Sequence, residues 1–205
     1  KMMEKIIITI GRQYGSGGHA IGEQLSRLLK LPFYDKELIE MASEQSGIEA
    51  GVLWVHDERV RASLFKMKSG GGMRDGVPLS DTLYRTQCRI IQELAKKESC
   101  IFIGRTANHC LRECPHLFSV FVTAPLPQRI ERIMERNRMS RKDAEAAIKK
   151  VDAQRADYYN HYTKSQWGEA SDYQLVVDSS QRGVEKTAEY LAGLASERMN
   201  EIAAV

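Results

Sequence analysis

No hydrophobic run in this sequence is long enough to cross a bilayer. The longest apolar stretches lie near Ile6–Ile10 and Phe118–Val122, far short of the roughly 20 residues a membrane-spanning helix needs. No membrane partner is expected. Charge of one sign is also lacking, since basic residues exceed acidic ones by only three in 205. That balance supports neither a nucleic-acid-coating protein nor one that adsorbs to a charged surface. The chain passes from Lys1 into a strand-like run within five residues, which leaves no room for a signal peptide, so export is not expected. Cysteines are few: Cys88, Cys100, Cys110 and Cys114 fall in one short stretch, and a chain of this size needs no disulfides to hold a core. Free thiols in a reducing cytoplasm are the expectation. His109, Cys110, Cys114 and His116 lack paired CxxC spacing and are interrupted by Pro115, so they read as packing residues rather than zinc ligands. Internal repeats are absent, and low complexity is confined to the glycine run Gly70-Gly71-Gly72.

With 42% apolar residues the chain can bury one substantial core, and its length points to a single domain with insertions. Residues 5–10 form a β-branched run of the kind buried on both faces of a sheet. Ala20, Ile21, Leu25, Leu28 and Leu29 then recur at helical spacing up to Pro32, which makes the opening a strand, a glycine loop and a helix. Leu31–Asp35 reads as a second strand with Asp35 at its carboxyl end, followed by a helical pattern from Lys36. The stretch 66–78 is glycine-rich and polar, a composition that favours a mobile loop. Beyond it the pattern predicts a helix from Ser80 and a strand at 100–104. Helix 106–113, strand 117–123, helices 126–137 and 140–161, strand 174–177 and helix 183–200 follow. This alternation predicts an α/β fold with a doubly wound, mostly parallel sheet.

The chemistry concentrates where strands end. Gly11, Arg12, Gln13, Tyr14, Gly15, Ser16, Gly17, Gly18 and His19 join the first strand to the first helix. Such a turn is either structural or a phosphate cradle, in which backbone N–H groups and a helix N-terminus meet an anion. The strand before it and the amphipathic helix after it favour the cradle. The Walker pattern ends in Gly-Lys and then Ser or Thr, whereas this chain has Gly17-Gly18-His19. Ser16 can supply a hydroxyl, Arg12 or another arginine the missing charge, and His19 can reach a phosphate through a ring N–H.

Gly104-Arg105 closes a strand, which places a guanidinium at the edge where open α/β sheets bind ligands. Asn108 follows it closely. Arg129, Arg132 and Arg136 recur three and four apart and so share a helix face, either as a solvated stripe or as cations around a transferred phosphoryl group. Asp152 and Arg155 come after them. Asp35 is either a helix N-cap or a ligand for water-bound magnesium. Tyr158, Tyr159, Tyr162 and Trp167 read as packing residues.

Taken together, the segments 8–18, Phe33-Tyr34-Asp35, Ile103-Gly104-Arg105 and 152–159 resemble the cytidylate kinase-like family across nearly the whole chain. The resemblance implies a P-loop, nucleoside-monophosphate-kinase-like fold with a parallel five-stranded sheet. Its core would span residues 1–35, 80–128 and 172–205, with a helical NMP-binding insertion at about 36–79 and a lid at about 136–170. The implied activity is transfer of the ATP γ-phosphate, with Mg2+, to CMP or dCMP. On this resemblance Gly11, Gly15, Ser16, Gly17, Gly18, His19, Arg129 and Arg132 bind donor phosphates. Asp35, Arg85, Arg89, Arg105, Asn108 and Asp152 serve the acceptor. Arg12, Arg136 and Arg155 are the catalytic cations, and magnesium would be reached through Ser16 or Asp35. Thr106 stands where those kinases carry an aspartate, which leaves cytosine selectivity open; the absent lysine keeps a second reading, a phosphate-binding regulatory module without catalysis, and the lack of a residue that reads the base keeps a third, a kinase for a non-nucleotide small molecule. A homodimer is compatible with any of these.

Overall fold

A computed structural model describes residues 5–35, 37–46, 73–74 and 77–203. Strand β1, Ile7–Arg12, is followed by helix α1, Gly18–Leu29, and by β2, Phe33–Tyr34. Helix α2 is Glu37–Ser46, and β3, Met73–Arg74, pairs with β4, Val77–Pro78. Helix α3, Leu79–Lys97, leads into β5, Cys100–Ile103, and the short α4, Ala107–Cys110. Strand β6, Leu117–Thr123, precedes the two helices α5, Leu126–Asn137, and α6, Arg141–Thr163. A 3-10 turn at Ala170–Asp172, strand β7, Leu175–Asp178, and helix α7, Gly183–Ala203, complete the described chain. Among the described residues no helix is long and apolar enough to cross a membrane.

The β-branched run at the start becomes the middle of the sheet because it can be covered on both sides. The five strands lie in the order β2-β5-β1-β6-β7 and every pairing is parallel. Alternate residues of each strand point to opposite faces. Ile7, Cys100, Phe102 and Leu117 meet α2, α3 and α4 through Leu38, Ala42, Leu83, Ile91 and Ala107. Ile6, Ile8, Ile10, Ile101, Ile103 and Val120 meet α1 and α7 through Ile21, Leu25, Leu191 and Ala195. Helices therefore cover both faces, and each fully buried aliphatic side chain contributes on the order of 1.5–3 kcal/mol. A third, smaller core of Ile130, Ile133, Ala144 and Ile148 binds α5 to α6.

This order brings three chain segments to one edge. The glycine loop leaves the carboxyl end of β1, Asp35 follows the end of β2, and Arg105 follows the end of β5. The connection from β1 runs to β2 on one side of the sheet and that from its neighbour β6 runs to β7 on the other, the arrangement that opens a ligand crevice outside the carboxyl ends of strands.

Several expectations need correction. Of the stretch 66–78, expected to be a mobile loop, residues 73–74 and 77–78 form an antiparallel pair, and the remainder lies outside the described residues, as does most of the expected insertion at 36–79. The Asp75-Gly76 dipeptide between the paired segments favours hairpins, a signal that loop composition concealed. The helix expected at 106–113 is only Ala107–Cys110, because Thr106 still has a left-handed backbone, φ 54°. The cysteines are not all free: packing of α4 on α3 brings Cys88 and Cys110 together as a disulfide, while Cys100 and Cys114 remain thiols.

Candidate active site at the strand ends

The loop between β1 and α1 is shaped from inside by its own carbonyls and from outside by arginines. Gly15 and Gly17 both adopt φ 81°, in the left-handed region that glycine enters without a Cβ penalty. The Gln13 carbonyl accepts the Ser16 N–H at 3.3 Å and the Ser16 hydroxyl at 2.8 Å. Ser16 is fully buried, so its hydroxyl is engaged within the loop rather than held out to a metal. The Gly18 N–H donates to Ser16 Oγ at 3.4 Å, and the other first-turn amides of α1 have no intrahelical acceptors, which leaves them for an anion.

Arg129 is buried and donates to Asp152 Oδ2 at 2.5 Å and to the Tyr14 carbonyl at 3.3 Å. Asp152 Oδ1 accepts the Tyr14 N–H at 2.8 Å. Arg132 donates to the Ser16 carbonyl at 2.9 Å and to Ser179 Oγ at 3.0 Å. Ser179 in turn donates to the Ser16 carbonyl at 2.5 Å. Arg129, Arg132 and Asp152 thus hold the loop in shape through groups that belong to the protein. Arg136 is exposed, donates to Tyr14 Oη at 2.8 Å and lies 5.2 Å from that ring's centroid. Arg85 and Arg89 are exposed on α3 and do not line the cavity described below.

On the other side of β1 the charges converge. Gly104, Arg105 and Thr106 have φ 64°, 56° and 54°, three successive left-handed residues. For the two with a Cβ this conformation costs roughly 1–2 kcal/mol each. Strain of that size persists because the surroundings fix it, and its result is that Arg105 lies buried at the strand end. Asp35 Oδ2 stands 3.2 Å from His19 Nε2, and its side chain is 14% exposed. Burial alone would raise this carboxyl, but the His19 hydrogen bond and the charges of Arg12, Arg105 and His19 hold it down at about 2. A carboxyl depressed in the folded state contributes stability that is complete above the unfolded value, near ~4, and is lost as pH falls through about 2. Asp35→Asn is therefore expected to flatten the decline of unfolding free energy across that interval by roughly 2 kcal/mol, as read from urea titrations. An unchanged slope would show that the carboxylate is not held by these cations.

A cavity of about 60 Å³ lies over this edge, room for a phosphate-sized group or a few waters. Arg12, Arg105 and Arg155 supply its charge, with Gly11 and Gly104 in its floor. Tyr158, Tyr159, Trp167 and Tyr173 supply an aromatic wall, so residues expected only to pack also face the site. Tyr173 carried no motif; its one signal was a bulky aromatic just before a strand. Asn108 lines the cavity, yet its amide donates to Tyr159 Oη at 2.9 Å, and Tyr159 donates to Asp172 Oδ2 at 3.0 Å. Burial, opposed by the Asn108 hydrogen bond and assisted by Asp172, pushes the Tyr159 phenol up to about 12, which keeps that donor protonated. Asn108 therefore positions α6 over the sheet. Tyr84 and Tyr162 stack with centroids 4.0 Å apart, and Tyr162 donates to Asp81 at 3.1 Å, fastening the end of α6 to α3.

Comparisons with known proteins agree with this fold. The model of the cytidylate kinase-like family matches residues 7–181. A cytidylate kinase from Methanosarcina barkeri (strain Fusaro / DSM 804) is 24% identical over 175 residues, 84% of this chain and 86% of its own length. The crystal structure of an uncharacterized protein from Eubacterium ventriosum ATCC 27560 has a TM-score of 0.72 at 26% identity, covering 94% of this chain and 99% of that one. Shikimate kinase from Acinetobacter baumannii, solved with shikimate, shares the fold at TM-score 0.53 and 12% identity over 95% of both chains.

Proposed function

The chain belongs to the cytidylate kinase-like family, and we propose that it transfers the γ-phosphoryl group of ATP to a small acceptor, foremost a nucleoside monophosphate such as CMP or dCMP. The observation that carries this reading is the convergence of Arg12, Arg105 and Arg155, from three separate elements, on one cavity beside the glycine loop. Phosphoryl transfer asks for little covalent chemistry from a protein and much positive charge in fixed positions.

In the reaction an acceptor phosphate oxygen attacks the γ-phosphorus, the bond to the β,γ-bridging oxygen breaks, and ADP leaves. A phosphate nucleophile is already ionised at neutral pH, so no protein base is required. The glycine loop and the α1 N-terminus receive the donor phosphates, Arg105 grips the acceptor, and Arg155 on α6 meets the transferred group. Helix α6 acts as the lid that excludes water and limits hydrolysis. Mg2+ would neutralise charge on the donor phosphates. Asp35 suits it best, since the Ser16 hydroxyl is engaged by Gln13 and magnesium commonly keeps its waters and takes one carboxylate.

One observation favours a second reading, a phosphate-binding regulatory module: the loop lacks lysine at position 18. ADP formation from MgATP with CMP, dCMP, other monophosphates and small alcohols separates the two, alongside calorimetric titration of the same compounds. A kinase gives turnover with one acceptor class that disappears in Arg105→Ala. Binding without turnover would establish the regulatory module, and an alcohol as the sole substrate would move the acceptor outside the nucleotides.

A further inference from the structure

Gly18 stands at the position the Walker pattern reserves for lysine, and the structure shows what fills the space instead. A Cβ built on Gly18 lies 2.5 Å from Arg12 Cβ and 3.0 Å from Arg12 Cγ. Those atoms sit at the root of the side chain, where no rotation of its far end relieves the overlap. At its other extremity the Arg12 guanidinium rests against Gly104, where a Cβ would overlap it as well. Arg12 therefore runs from the glycine loop across the sheet edge to the turn that carries Arg105, with a glycine at each end of its path. Arg155 donates to the Arg12 carbonyl at 2.9 Å and fixes the backbone from which the side chain springs.

We infer that Arg12 replaces the lysine of the loop, reaching the transferred phosphate from the end of β1 rather than from the first turn of α1, and that Gly18 is glycine to leave room for its stem. The inference rests on the proposed phosphoryl transfer and deepens it. A guanidinium has five donors in a planar fork and stays protonated, so one arginine can span two phosphates where lysine offers a point charge. Its end lies between the loop and Arg105, the seam where donor and acceptor phosphates must meet. A side chain at position 18 collides with the stem of the one at position 12, so a loop that sends Arg12 along this path has no room for a lysine at its usual place.

The test is a transplant. Turnover with MgATP and the acceptor found above, MgATP affinity by calorimetry and melting temperature are measured for Arg12→Ala, Gly18→Lys and Arg12→Gly/Gly18→Lys. Arg12→Ala is expected to lose about 100-fold in turnover, the loss typical of one preorganised donor. Gly18→Lys should also lose turnover, because the two stems collide. The double variant should regain about tenfold over Arg12→Ala, since glycine at position 12 also removes the Cβ that lies 2.5 Å from the one added at position 18. Turnover of Arg12→Ala within about threefold of the parent, or a double variant no better than either single one, would overturn the inference. Should Arg12→Ala fail to fold, Arg12→Gln retains the stem without the charge and is judged by the same turnover criterion. If the parent protein forms no ADP with any acceptor, the proposed reaction falls and MgATP affinity decides this point alone: a tenfold or greater weakening in Arg12→Gln, about 1.4 kcal/mol, upholds Arg12 as the phosphate cation, and unchanged affinity rejects it.

Discussion

Arg155→Ala is expected to lower turnover by about a thousandfold, the scale of a transition-state arginine in phosphoryl transfer, while MgATP affinity changes by less than about threefold. The reason lies in where Arg155 sits. It belongs to α6, outside the glycine loop, yet its guanidinium reaches the cavity wall, lies 5.7 Å from the Tyr14 ring centroid and donates to the Arg12 carbonyl. On the proposed reading the donor phosphates are received by backbone amides of the glycine loop, so ground-state binding of ATP is expected to survive the loss of Arg155. In the proposed transfer Arg155 and Arg12 together offset the charge that develops on the equatorial oxygens, so losing Arg155 is expected to be felt in turnover. Steady-state kinetics with calorimetry check the split. Equal losses in turnover and affinity would make Arg155 a donor-binding residue, and a large fall in melting temperature would make it a tether of α6.

The split between α5 and α6 also marks where the sequence stops being readable. Spacing alone places Arg129, Arg132 and Arg136 on one helix face, and it cannot say what each meets there. Arg129 is buried on Asp152, Arg132 reaches loop carbonyls more than a hundred residues earlier, and Arg136 lies exposed over Tyr14. Those fates depend on how α5 docks against the loop, a long-range relation with no periodic signature. By contrast β1, the glycine loop and α1 were legible because a buried strand, positive-φ glycines and an amphipathic helix each impose local constraints on residue type. Gly104 announced one left-handed position and concealed the two after it, because nothing in Arg105 or Thr106 themselves favours that conformation. The Arg12 path was equally hidden: a glycine in place of lysine reads as a loss until the side chain occupying the space is seen.

Those left-handed residues make the last prediction the sharpest. Arg105→Ala and Arg105→Gly both remove the guanidinium, so both should lose turnover by about a thousandfold if Arg105 holds the acceptor in line. Their stabilities should differ. Alanine keeps the Cβ at φ 56° and with it the local strain of roughly 1–2 kcal/mol, whereas glycine sheds that strain. Glycine also widens the unfolded ensemble, which offsets part of the gain by roughly 0.5–1 kcal/mol. The glycine variant should therefore be the more stable of the two by about 0.5–1 kcal/mol, measurable as a shift in urea midpoint at constant slope. Equal midpoints would mean the turn is not strained at Arg105. A glycine variant that kept its turnover would mean the strain serves the backbone turn and not the arginine. Inactivity together with the better stability of glycine is the combination expected of a site that holds an arginine in an unfavourable conformation because the reaction needs it there.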